Sequence, residues 1–329
     1  MFRFTDQYGL ADIGMFVNSL FPAPAEYHGV PTIDAGLTDY TAENVLNYLT
    51  GQAQMPSLPS VYLALFTTAP TSDAAVTGAV EVTGGSYARV QIAGTAATNN
   101  TTSSSSNVLH FATVPTWLVG GMSIRDVTTP SAITVGTTIS GTGTGVVNMS
   151  ANAAATVGNG DTIVFSAFAP AVASAGSEPS VTPAYAQNTG SIITFIQATA
   201  NWGTVVAWGL FDGVTGGNCL TWDYLGNYKW IPFTMTLASP GVITTDSTNA
   251  YPNGTSVVMT NKPSGGVFPT TGSSLAGILT TAGLSGATFN VGVNTTGAGE
   301  GLIRQVLQQS IPINVQASFA TSTFTIYAA

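Results

Sequence analysis

Three observations predict an all-β fold. Apolar and aromatic residues recur at a period of two over most of the chain, the intervals between them are rich in turn-forming Gly, Pro, Ser, Thr and Asn, and one short segment alone carries a helical period. The expected architecture is a β-sandwich body with an N-terminal arm, one short helix and a small inserted β-module. A chain of 329 residues allows one large domain or two to three small ones.

Residues 1–36 read as an extended arm. Phe2, Phe4, Met15, Phe16, Leu20 and Phe21 are spread among Gly and Pro with no sustained period. Such a segment is too apolar to stay solvated and too irregular to fold alone, so it is expected to lie against the body or a neighbouring subunit. Phe2, Phe4, Phe16 and Phe21 are the candidate subunit or partner contacts. Residues 38–50 are the predicted helix. Thr38 or Thr41 can cap it, Asp39 and Glu43 suit the dipole of its first turn, and Val45, Leu46 and Leu49 share one face before Gly51 stops it.

From residue 58 the period is two. Strands are predicted at 61–66, 87–92 and 109–111, with a polar loop of Asn, Thr and Ser at 99–106. Shorter strands at 122–127, 137–140, 146–150 and 162–165, separated by Gly-rich turns, define the inserted β-module, 113–168. Strands follow at 192–195, 205–211, 219–224 and 230–237. A hairpin from Asp212 to Asn218 joins the middle two, with glycines where positive φ is needed. Four of the five tryptophans (Trp202, Trp208, Trp222 and Trp230) fall here and are expected to pair across a sheet face. Residues 240–304 are Thr-, Gly-, Ser- and Asn-rich, too long for an ordinary connection, and read as a loop-rich excursion. Strands at 311–315 and 319–327 close the chain. The body is thus assigned to 37–112 with 185–239 and 305–329.

Charge removes much of the functional menu. Lys and Arg number 6 and Asp and Glu 15, so charged residues are 6% of the chain and the net charge is −9. An ordinary soluble protein carries roughly 25%. Six cations cannot neutralise a phosphate backbone, so no nucleic-acid partner is expected. No apolar run reaches membrane-spanning length, and the first residues lack the pattern of a secretory leader, so neither a membrane partner nor secretion is expected. The 49 Thr and 28 Ser take the place of the missing charges. A surface of hydroxyls and amides bonds to other protein without the desolvation cost of buried charge, which points to a structural or adhesive protein.

No catalytic, cofactor-binding or metal-binding residues are expected. Among the acids, Asp212 and Asp223 flank one hairpin and are the best approach to a glycosidase pair. Their ordinary reading is a turn-opening aspartate and a surface acid. Loops with Asp161, Asp212 or Asp246 lack the alternating acids of a Ca²⁺ loop. His28 and His110 have no acid or Cys at ligand spacing. Cys219 reads as a small buried hydrophobe. Residues 141–145, Gly-Thr-Gly-Thr-Gly, lack the Gly-Lys and helix of a phosphate loop, Lys229 and Lys262 lying elsewhere, and read as a hairpin tip.

Two segments carry a family resemblance. Pro59-Ser-Val-Tyr-Leu-Ala-Leu-Phe-Thr-Thr-Ala-Pro-Thr71 with Gly84-Gly-Ser-Tyr-Ala-Arg89, and Ala198-Thr-Ala-Asn-Trp-Gly-Thr-Val-Val-Ala-Trp-Gly-Leu-Phe-Asp-Gly-Val-Thr-Gly-Gly-Asn218, resemble tailed-bacteriophage virion structural proteins often labelled phage tail fibre protein. The helix before the first motif is similar to the family's lead-in. The resemblance implies a structural protein of the virion, assembled in the host cytoplasm. The role expected first is a head decoration, or cement, protein. Its partners would be the major capsid protein and copies of itself, as a homotrimer. The alternatives are a tail-fibre or adaptor protein that meets a host-surface glycan, a cell-surface adhesin and, from another class, a glycan-depolymerising enzyme. In all but the last the motif residues act as scaffold.

Overall fold

The computed structural model describes residues 36–54, 60–71, 76–171, 184–226, 230–245, 251–262 and 266–328. The predicted arm, with Phe2, Phe4, Phe16 and Phe21, lies outside the described residues, as do His28, Lys229 and Asp246. The fold is all-β apart from one helix, Asp39–Leu49. The described chain forms two compact units, one of residues 34–225 with 307–329 and one of residues 226–306.

The larger unit is built on an eight-stranded antiparallel sheet. In spatial order it runs Gly36–Leu37, Cys219–Tyr224, Ala207–Phe211, Ser60–Thr68, Val90–Ala97, Thr162–Ser166 and Ser123–Asp126, with Val80–Glu81 pairing beside Ser60–Thr68. Leu63, Ala64, Leu65 and Phe66 are buried in succession, as is every residue of Ala207–Phe211. Unbroken apolar runs, rather than alternation, mark strands covered on both faces. Leu63, Leu65, Ile92, Ile124, Ile163 and Phe165 of this sheet share one core with Leu109, Ile139, Val147 and Met149 of a three-stranded sheet. That core also takes in Ile193 and Ile311 of the two-stranded ladders that join residues 184–205 to 309–328, and Phe195 and Phe324 beside them.

Residues 113–168, read from the sequence as an inserted module, are divided between two sheets. Ser123–Asp126 and Thr162–Ser166 extend the main sheet, while Ile139–Gly143 and Val146–Met149 form a hairpin that pairs with Val108–His110. Periodicity marks strands but carries no record of their neighbours, and these strands bury their apolar faces in the body's own core.

Thr38 is the N-cap residue of the helix, as read from the sequence, but its hydroxyl accepts no first-turn N–H and donates to the Cys219 carbonyl. None of the helix residues is buried, and Leu46 and Leu49 are 41% and 62% exposed.

The smaller unit replaces the predicted excursion with a sheet. Its seven strands run Leu279–Thr280, Ser256–Thr260, Gly299–Gln305, Ile231–Met235, Ile243–Thr244, Thr288–Asn290 and Ala282–Ser285. Ile231, Phe233 and Met235 point inward while Pro232 and Thr234 point out, and they meet Ile243, Val257, Met259, Phe289 and Ile303 in a separate core. Ile231–Met235, which the sequence assigns to the body, belongs to this sheet through its pairing with Gly299–Gln305. Four of the seven strands are only two to four residues long, too short to register as a period.

Candidate functional site

The two sequence motifs meet in space around Arg89. This residue precedes the strand Val90–Ala97, and its side chain is only 7% exposed. Nε and Nη2 donate to the two carboxylate oxygens of Glu81, at 2.9 and 2.7 Å. Nη1 donates to the carbonyls of Gly213 and Gly216, at 2.8 and 2.6 Å. The guanidinium carbon lies 3.6 Å from the centroid of the Phe211 ring. A flat cation with a fixed fork of donors can do all of this at once, and a lysine cannot.

Tyr87 extends the lock inward. Its hydroxyl accepts from the Leu65 N–H at 2.9 Å and donates to Glu81 at 3.1 Å. Burial, with the Glu81 carboxylate beside it, holds this phenol well above the usual tyrosine range, so it stays a donor. The ring stacks on Phe195 and meets Trp202 edge-on at 5.2 Å. Trp202 donates its indole N–H to the Gly85 carbonyl at 2.9 Å. Gly85 has φ 54°, and a Cβ there would stand 2.9 Å from the Ala200 nitrogen, so the turn is confined to glycine.

The lock holds the hairpin between Ala207–Phe211 and Cys219–Tyr224. Asp212 accepts from the Asn218 N–H at 2.6 Å and from its side-chain amide at 2.9 Å, which is the turn role read from the sequence. Thr215, Gly216, Gly217 and Asn218 are exposed, and Val214 is 53% exposed. The charged groups of the cluster are spent on internal bonds. What the arrangement does is brace a hairpin tip whose residues 213–218 carry no charged side chain, closed at its base by the Asp212 carboxylate.

The other sequence candidates stay apart. Asp223 pairs in register with Trp208, four residues down the strand from Asp212, a separation of roughly 13 Å at 3.3 Å per residue. Each carboxylate is taken up locally, Asp212 by Asn218 and Asp223 by the Tyr224 N–H. Cys219 is buried in its strand, its thiol 3.4 Å from the Thr221 carbonyl. Gly141 and Gly143 lie in the strand Ile139–Gly143 and Gly145 in the turn to Val146, a hairpin tip. His110 lies in Val108–His110, half-buried. The tryptophans do not face one another in the ladder. Trp208 packs edge-on against Phe324 at 4.7 Å and Trp222 against Tyr224 at 5.5 Å, because the register sets Trp222 opposite Gly209. Among the described residues, no group of three or more His, Cys, Asp or Glu side chains could hold a metal ion, and no helix is long and apolar enough to cross a membrane.

The smaller unit holds a half-open cleft of about 290 Å³. Met259, Phe268, Pro269 and Leu275 form its apolar part, and Thr270, Thr271, Ser273 and Ser274 its polar part. No charged side chain lines it. The Thr271 hydroxyl donates to the Ser273 carbonyl, and the Ser274 hydroxyl accepts from the Ala276 N–H, so these hydroxyls serve the loop's own backbone.

A family model described as Podophage GP4 fiber I protein gp80 matches residues 36–173 and 167–236, well over half of the chain. The chain belongs to this family. The gp80-type match covers the Arg89 lock, the hairpin it holds and every strand of the main sheet, and ends one residue past the first strand of the smaller unit. The chain matches none of the curated proteins and none of the solved structures. The motifs contain Tyr87, Arg89, Trp202, Phe211, Gly213 and Gly216 but not Glu81, and their association was not legible, since Arg89 lies more than 120 positions from Gly213 and Gly216.

Proposed function

We propose that this chain is a fibre component of a podophage virion and works by binding rather than by catalysis. The family match over residues 36–236 carries this reading, because the family's description names a fibre protein. The geometry around Arg89 supports it. Arg89 and Glu81 satisfy one another, residues 213–218 of the hairpin they brace carry no charge, and the carboxylates of Asp212 and Asp223 serve local backbone bonds. A surface sparing in charge suits packing against other subunits and against a host surface, including neutral glycan.

Head decoration draws on the same uncharged surface, since weak contacts repeated over a capsid lattice sum through multivalency. Copy number separates the two. Quantitative mass analysis of purified particles is expected to give a few dozen copies or fewer per virion for a fibre. Hundreds of copies, in register with the major capsid protein, would replace the fibre reading with decoration. Hydrolysis of host polysaccharide by the purified chain, lost in Asp212→Asn or Asp223→Asn, would overturn the non-catalytic assignment.

A further inference from the structure

Asp126 ends the strand Ser123–Asp126, the edge of the main sheet, and is fully buried. Its Oδ1 accepts from the backbone N–H groups of Thr128 and Thr129 at 2.9 and 2.8 Å, which turns the chain away from the strand. Its Oδ2 is buried with no hydrogen-bond donor. The carboxyl stands against Asp161, itself only 8% exposed. Asp161 Oδ2 accepts from the Gly158 N–H at 2.6 Å and from the Thr129 hydroxyl at 3.4 Å. Thr129 thus bonds one carboxyl through its amide and the other through its hydroxyl.

Two buried carboxylates in contact are costly twice over, through repulsion and through the lost hydration of the orphan oxygen. A proton on Oδ2, donated to Asp161, removes both costs. Burial first, and then the Asp161 charge, push the Asp126 carboxyl above the usual aspartate range, against the two backbone N–H bonds that pull it down. Among the described residues, no basic group acts on it. Arg125 is exposed on the strand's other face, and residues 97–102, 127–137, 151–160 and 162–166 contain no titratable side chain. The carbonyl of His110 binds the Asn99 N–H, but its imidazole is not among the groups that act on Asp126.

We propose that Asp126 and Asp161 share one proton, forming an acid-strengthened latch that ties the edge strand to the turn at 158–161. A proton fits where a Ca²⁺ ion, with its six to eight oxygen ligands, does not. Because the folded-state value is raised, the stabilisation is complete below the ordinary aspartate range, near pH ~4. It is lost as the pH rises through the raised value.

The test uses the full chain labelled with ¹³C at the aspartate carboxyls. One signal is expected to titrate well above the ordinary range in the native protein and to be missing from Asp126→Asn. The asparagine keeps both acceptor bonds and donates permanently to Asp161. Its melting temperature is therefore expected to exceed the native value at neutral pH by about 2–4 °C, and the two are expected to converge in acid. Asp161→Asn removes the neighbouring charge and donates from the other side, so it is expected to move the raised signal downward, should the first variant fail to fold. The proposal is overturned if no native aspartate titrates above the ordinary range. It is overturned equally if millimolar Ca²⁺ raises the melting point of the native chain but not of Asp126→Asn, which would make the pair a cation site.

Discussion

At the scale of single residues, the conspicuous economy is that a chain with six cations commits one of them wholly to internal structure. Arg89 spends its guanidinium on Glu81, two hairpin carbonyls and the face of Phe211, and Tyr87 converts the same carboxylate into a bridge to the Leu65 backbone. Leu65 is buried, so its N–H has no water to fall back on. Tyr87→Phe is therefore expected to cost about 1–3 kcal/mol in urea unfolding. Arg89→Ala, which strands Glu81 and frees the hairpin, is expected to cost about 3 kcal/mol or more. Arg89→Lys should recover little, because an ammonium cannot reach both carboxylate oxygens and both carbonyls. Full recovery by lysine would show that charge alone matters here. The residue types of the lock were legible from the motif, and so was the turn role of Asp212. The ion pair with Glu81 was not, since nothing local distinguishes that acid from fourteen others.

At the scale of elements, legibility followed length and burial. Cys219–Tyr224 occupies its predicted span, and Ser60–Thr68 extends its prediction by one or two residues at each end, because continuous apolar runs announce a strand wherever its partners lie. The helix was found within a residue at each end, but its period does not say what its apolar face meets. Covering a helix is a property of neighbours, and in this chain Leu46 and Leu49 face outward. Replacing both with serine is expected to change unfolding free energy by less than about 0.5 kcal/mol each. Ile303→Ala, at a fully buried position where three strands of the smaller sheet meet, should cost about 2–5 kcal/mol. Equal losses from the helix and the sheet in parallel urea titrations would mean that the helix face is packed in solution. The two-residue ladders of residues 240–304 were the least legible elements, for a strand that short has no period to detect.

At the scale of the whole molecule, the low charge has a measurable consequence. The ion pairs of the described residues include Arg89–Glu81, with a nearly buried arginine, and Lys262–Glu300, which is partly exposed. Salt screens exposed charges and hardly touches buried ones. Thermal melts between about 0.05 and 1 M NaCl are thus expected to differ by no more than ~2 °C, less than a 1 kcal/mol change would produce. A steep salt dependence would reveal surface electrostatics that the composition does not suggest.

Composition and period were enough to establish an all-β chain, the span of its longer strands, the helix and the turn chemistry of Asp212, because each rests on interactions within a few residues. The neighbours of each strand, the separate core of residues 226–306, the Arg89 lock and the buried Asp126–Asp161 pair became visible in three dimensions. They depend on groups distant in sequence, whose meeting is set by how apolar faces are covered across the whole sheet.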